Sequence, residues 1–188
     1  MEQKLYDTVT DCPVIAAIKD DSGLERCLDS DIQIIFVLYG DIVSIPDIVD
    51  KIKKRGKLAM VHADLISGLS GKEIAIDFLK RNTQADGIIS TKLSFIKRAK
   101  ELGMATVFRF FVIDSMAFDN IQKQYEAASP DFVEILPGIM PKIIAKVSKM
   151  VSAPVIAGGL IAEKADIYAA IEAGAISISS TNQNTWFI

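Results

Sequence analysis

The side chains that stand out chemically are charges and hydroxyls set inside or at the ends of short apolar runs. Lys19, Arg109 and Glu134 interrupt PVIAAIK (13–19), MATVFRFFVID (104–114) and FVEILPG (132–138). A buried charge without a partner is costly, so each of the three needs a counter-charge or a ligand. Arg109 and Glu134 fall on successive runs, where they can serve one another as an ion pair or hold a ligand. The single histidine, His62, precedes Asp64 by two residues at the end of KLAMVHAD (57–64), and strand alternation places both on one face. A lone histidine cannot build a zinc site, and no metal is expected, although Asp64 and Glu134 are the oxygen donors that Mg²⁺ would take. Lys92, just after ADGIIST (85–91), can reach a phosphate or, if desolvated, a substrate carbonyl. Asp41 and Asp114 also end runs, and a helix cap explains each as well as a ligand does.

Two further runs carry an anion-binding pattern. PVIAGGLI (154–161) contains Gly158-Gly159, where the absence of side chains opens backbone N–H groups to an approaching anion. AISISST (175–181) ends in Ser179-Ser180-Thr181 and leads through Asn182 into a short helix start. Counted along the chain these are the seventh and eighth runs, whose ends form the usual phosphate site of an eight-stranded parallel barrel.

The elements that must position these residues follow from the spacing. The eight apolar runs, completed by IQIIFVLYG (32–40), are separated by amphipathic stretches such as 45–56, 71–82, 93–103 and 163–174, several ending in Gly. Eight strand–helix units with no linker predict one small (β/α)₈ barrel over residues 1–188, of the triosephosphate-isomerase type, in preference to an open doubly wound sheet. The chain is short for this fold, so loops and helices must be minimal. The last helix is at most 182–188, with Trp186 and Phe187 expected to pack it on the barrel.

Composition narrows the function classes. Half of the 188 residues are hydrophobic and 24% are charged, enough for one sizeable core. The longest apolar stretch, 32–39, is too short to span a bilayer, and the charged start MEQKLYDTV does not resemble a signal peptide, so a cytoplasmic protein is expected. Cys12 and Cys27 have no metal-ligand spacing and are expected to be reduced. There is no nucleophile elbow and no GxxxxGK[ST] phosphate loop. A net charge of −3 gives no global attraction for nucleic acid, so any such contact needs a local patch. One candidate holds Lys51, Lys53, Lys54 and Arg55, and the other is the helical stripe of Lys142, Lys146 and Lys149.

Taken in order, PVIAAIKD (13–20), LYGDI (38–42), VHADLISGLSGKE (61–73), DGIISTK (86–92), RFFVIDS (109–115), EILPGIMPK (134–142) and IAGGLI (156–161) resemble the glycerol-3-phosphate-responsive antiterminator family. The likeness runs from about Pro13 to Trp186. It implies a regulator, not an enzyme and without a cofactor, that senses glycerol 3-phosphate and binds leader mRNA of a glycerol-utilisation operon. The implied ligand pocket draws on Lys19, His62, Asp64, Lys92, Arg109, Glu134, Gly158, Gly159, Ser180 and Thr181. A homodimer would pool two basic patches for RNA. The alternative is a barrel enzyme acting on a small phosphorylated sugar or polyol, with Lys92 or Lys19 as amine or proton donor and Asp64 or Glu134 as base.

Overall fold

The structure, a computed structural model, describes residues 2–187, with side chains described from Leu5 onward. Met1 and Ile188, included in the expected 1–188 unit and final helix, lie outside the described residues. Eight parallel strands close into a barrel in chain order: β1 (Val14–Ile18), β2 (Ile34–Val37), β3 (Leu58–His62), β4 (Gly87–Ser90), β5 (Ala105–Phe111), β6 (Phe132–Leu136), β7 (Val155–Gly158) and β8 (Ser177–Ser180). Closure is made by β8 against β1, with Val14 opposite Ile178 and Ala16 opposite Ser180. Each of the eight apolar runs holds one strand.

Eight α-helices are described: α1 (Glu2–Asp11), α2 (Asp21–Leu28), α3 (Ile45–Lys54), α4 (Ile74–Asn82), α5 (Leu93–Glu101), α6 (Ser115–Ala128), α7 (Pro141–Met150) and α8 (Lys164–Glu172). Helices α2 to α8 follow β1 to β7, and among the described residues β8 is followed by a 3-10 turn, Gln183–Phe187. Strand-end aspartates start several helices: the Asp20 carboxylate accepts the Gly23 N–H at 2.7 Å, and that of Asp114 accepts the Ala117 N–H at 2.7 Å.

Two local features differ from expectation. Helix α1 was not expected, because its sequence is mostly polar. Leu5 and Val9, one turn apart, are nevertheless buried and close the N-terminal end of the barrel against Ile15, Ile34, Met60 and Phe132. In the C-terminal turn only one of the two aromatic residues packs. Trp186 is buried and its indole N–H donates to the Ser180 carbonyl at 2.9 Å, but Phe187 is 56% exposed. Neighbouring side chains diverge in so short a turn, and Phe187 lies instead 5.2 Å from the Arg26 guanidinium.

The barrel interior changes character along its axis. Its lower part is apolar, built from Ile15, Ile34, Met60, Val107 and Phe132, among others. Two residues further along their strands, on the same inward parity, come His62, Arg109 and Glu134. Ser179 lies opposite Gly158, and its hydroxyl reaches Glu134. All four are buried, so the upper layer of the core is polar. Residues of the other parity, such as Ile18, Val37, Phe108, Ile135 and Ile178, pack outward under the helices.

Candidate functional site

The polar layer is organised around Glu134, which is fully buried on β6. The ladder sets Arg109 of β5 directly beside it, and Arg109 Nε donates to Glu134 Oε2 at 2.6 Å. From the other side the Ser179 hydroxyl donates to Glu134 Oε1 at 2.5 Å. Both carboxylate oxygens are thus engaged, as a buried charge requires. The remaining guanidinium nitrogens of Arg109 make no hydrogen bond among the described residues, and the side chain lines a cavity of about 360 Å³ at the carboxyl ends of the strands.

The opposite wall of that cavity is the loop after β7. Gly159 has φ +78° and Leu160 φ +62°, so the chain turns through two successive left-handed residues. For leucine that conformation costs on the order of 1 kcal/mol, and such strain concentrates at ligand clamps. The N–H groups of Gly159, Leu160, Ile161 and Thr181 donate to no acceptor among the described residues, although each of these residues lines the cavity. Amides without an acceptor and a half-used guanidinium line one space, and these are the groups with which a protein takes an anion.

Gly158 plays a different part from its neighbour. A methyl group there would lie 2.5 Å from Glu134 Oε1 and 2.6 Å from Ser179 Oγ. The missing side chain therefore makes room for the buried hydrogen bond rather than for an incoming anion. The glycine pair divides its work: Gly158 admits the Glu134–Ser179 contact, and Gly159 makes the turn.

A second cluster sits where β3 and β4 end. The chain leaves β3 in a 3-10 turn, Ala63–Leu65, and Asp64 within it accepts the Thr91 N–H at 2.8 Å and the Ser90 hydroxyl at 2.9 Å. Lys92 Nζ lies 3.3 Å from the other Asp64 oxygen and 4.5 Å from the centre of the Phe95 ring. His62 Nδ1 is 3.8 Å from Asp64 Oδ2, a separation that would suit an ion pair if the imidazole were charged. Burial outweighs that attraction, and the nearby Arg109 charge adds to it, so the His62 pKa is pushed down to about 4. At neutral pH His62 is an uncharged imidazole whose Nδ1 has no hydrogen-bond partner among the described residues.

A sequence model of the glycerol-3-phosphate responsive antiterminator family matches residues 14–186. The chain belongs to that family. The chain is 34% identical to a glycerol uptake operon antiterminator regulatory protein from Listeria monocytogenes, with a TM-score of 0.91 over 94% of this chain and 95% of that one. An antiterminator-related protein from Thermotoga maritima is 33% identical, with a TM-score of 0.80 over 92% of this chain and 96% of that one. YgcP of Escherichia coli (strain K12) is 49% identical over 174 residues, 93% of this chain and 91% of its own length. The family is one of regulators, which removes the ground for reading the barrel as an enzyme.

Of the ten expected pocket residues, the fold gathers Arg109, Gly159, Ser180 and Thr181 around the cavity, with Glu134 and Gly158 directly behind Arg109 and Ser179. His62, Asp64 and Lys92 form the neighbouring cluster, tied to the first by the influence of Arg109 on His62. Lys19 is exposed just beyond β1 and does not line the cavity. Ser180 lies on the outward parity and spends its hydroxyl on the Ile161 carbonyl at 2.8 Å. Sequence reasoning passed over Ser90, and it named Ser179 at the end of the eighth run without including it in the implied pocket. Strict alternation along β8 would have selected Ser179 over Ser180.

The basic candidates differ in how far they are committed. Lys51, Lys53, Lys54 and Arg55 pair with Glu25, Asp86, Asp50 and Asp29 at 3.8, 2.6, 2.6 and 3.0 Å. Lys57, beside them, is buried with its ammonium on the Ser30 and Ile32 carbonyls. Lys142, Lys146 and Lys149 are exposed on α7 and form no ion pair among the described residues. A larger groove, about 710 Å³, lies at the opposite end of the barrel beside Tyr6, Ser148 and Ser152. Its one charged wall residue, Asp131, is already bound to Thr106 and Lys100, so no positive charge converges there. Among the described residues no group of three or more His, Cys, Asp or Glu side chains is placed to hold a metal, and no helix is long and apolar enough to cross a membrane. Both cysteines are free, and burial pushes the Cys27 thiol up to about 12.

Proposed function

We propose that this antiterminator is a cytoplasmic sensor of glycerol 3-phosphate whose ligand-bound form binds the leader mRNA of a glycerol-utilisation operon and prevents terminator formation. The observation that carries the reading is the cavity wall, where Arg109, with guanidinium nitrogens left unbonded, and the Gly159–Ile161 turn, whose amides have no acceptor among the described residues, line one space. A phosphate monoester matches this set, because amides and guanidinium both donate to its oxygens. Thr181 at the cavity and Asp64 with Lys92 beyond Arg109 are the hydrogen-bonding groups for the glycerol hydroxyls. Regulation then needs no chemical turnover: the ligand binds better to the RNA-competent state and shifts its population. For RNA the unpaired lysines of α7 are the ready contact, because the cations at 51–55 are held by carboxylates.

The test measures melting temperature with glycerol 3-phosphate, glycerol or inorganic phosphate, and leader-RNA affinity with and without the ester. A ligand at one hundred times its Kd stabilises by about 2.7 kcal/mol, which moves the melting point by several degrees in a chain this size. The ester should do this, Arg109→Lys should lose it, and RNA binding should tighten with the ester and weaken steeply with salt. RNA affinity that ignores glycerol 3-phosphate would overturn the proposal, as would steady consumption of the ester.

A further inference from the structure

One stretch of the rim around the cavity mouth joins exposed apolar side chains to an exposed basic helix. Where β5 passes into α6, the strand end exposes Phe111 (53%), the loop Ile113 (82%) and the first turn of the helix Met116 (70%), while the next loop exposes Ile139 and the one after β7 exposes Leu160. Soluble proteins scatter such residues singly, but here three consecutive strand–helix connections carry five, and Ile42, Val43, Leu65 and Ile74 continue the apolar rim after β2 and β3. Beside them stands α7, the one described α-helix with neither Asp nor Glu. Lys142 lies in its first turn, next to the Ile139 loop, and Lys146 Nζ sits 5.7 Å from the Phe118 ring of α6, so the lysine face and the apolar loops adjoin.

Charge and apolarity together choose the occupant. Three lysines without an ion pair among the described residues, in a chain of net charge −3, are out of keeping with an apolar partner surface and suit a polyanion. A duplex offers phosphates but hides its bases, leaving Phe111 and Ile113 in water. A single strand offers both a phosphate backbone for the lysines and base faces for the apolar side chains. We infer that the β5–α6 and β6–α7 loops and the lysine face of α7 form one binding surface for single-stranded RNA, on which Phe111 is a base-stacking platform.

This rests on the RNA-binding function proposed above and supplies its geometry. The surface shares its walls with the effector cavity. Leu160 belongs to both, and Leu136, also a cavity residue, accepts the Val112 N–H at 2.8 Å, where the Phe111 loop begins. The Gly138 N–H, in the β6–α7 loop, donates to the Gly159 carbonyl at 3.0 Å. A ligand that orders the Gly159–Ile161 turn therefore acts on the rim through direct contacts, without crossing the barrel.

The experiment is fluorescence anisotropy with labelled single-stranded leader RNA at saturating glycerol 3-phosphate, on the wild type, Phe111→Ala, Lys142→Glu and the distant Lys54→Glu. The melting-point rise with ester, retained in every variant, shows that fold and cavity are intact. Phe111→Ala is expected to weaken binding about tenfold with little change in salt dependence. Lys142→Glu should weaken it and flatten the salt dependence, and Lys54→Glu should leave it unchanged. If the wild type binds RNA in an ester-dependent way while Phe111→Ala and Lys142→Glu bind equally well, the surface is wrong and the proposed function stands. If the wild type binds no RNA at all, the proposed function itself fails. Equal affinity for a fully duplexed leader would overturn the single-strand assignment. So would a loss of self-association in Phe111→Ala with RNA affinity unchanged, which would make the patch a contact between copies.

Discussion

Replacing Gly158 by alanine probes the polar layer through one methyl group. The added carbon would stand 2.5 Å from Glu134 Oε1, 2.6 Å from Ser179 Oγ and 3.2 Å from Glu134 Cδ. None of these atoms can retreat into solvent, because Glu134 is fully buried and Ser179 is 3% exposed. The Ser179–Glu134 hydrogen bond must lengthen or break, and a hydrogen bond to a charged group contributes about 1.5–3 kcal/mol. Overpacking a tight core adds about 1–3 kcal/mol, so the variant should lose roughly 3–5 kcal/mol of stability, or about 6–20 °C in melting temperature. Urea unfolding of Gly158→Ala, Ser179→Ala and the double variant separates the two parts. If the methyl acts through the hydrogen bond, adding Ser179→Ala to Gly158→Ala costs far less than Ser179→Ala alone. A Gly158→Ala protein within about 0.5 kcal/mol of wild type would refute the assignment of Gly158 to this contact. So would strict additivity of the two changes.

Three other outcomes follow from the same geometry. Glu134→Ala leaves Arg109 buried without its counter-charge and should cost about 3–5 kcal/mol, whereas Arg109→Met with Glu134→Leu should recover much of it; urea titration reads both. The native His62 pKa of about 4 lies below the unfolded value of 6.5, so the unfolded chain binds the extra proton between these limits. Stability should therefore fall as pH drops through that window, by up to about 3 kcal/mol from this residue, and His62→Gln should show a correspondingly shallower decline in melting temperature. Leu5→Ala should destabilise by about 2–4 kcal/mol, since Leu5 is 4% exposed and seals the end of the barrel opposite the cavity, while the glycerol 3-phosphate response of the variant should persist.

The barrel was legible because parallel strands buried on both faces read as short apolar runs, and eight of them recur along the chain. Helix α1 escaped because a helix that plugs a barrel end needs only a small apolar patch. Leu5 and Val9 provide it within a polar segment. Two charges on successive strands left Arg109 and Glu134 open to an ion pair or a ligand, and the strand register, which sets them side by side, makes the pair. His62 and Asp64 do lie together, but the 3-10 turn after β3 brings them there, not the strand alternation that suggested it. What spacing could not convey is which atoms already have partners. Lys53 and Arg55 look like a free basic run until the fold brings up Asp86 and Asp29, and Gly158 looks like part of an anion loop until Glu134 and Ser179 close around it.

The most direct test of the effector site is a crystal structure of the chain soaked with glycerol 3-phosphate. The phosphoryl group should lie within hydrogen-bond reach of the Gly159–Ile161 amides and of Arg109, with the Arg109–Glu134–Ser179 chain intact. An ester bound instead in the groove beside Tyr6 and Ser148, or density in the β7–β8 mouth that does not touch Arg109, would contradict the account.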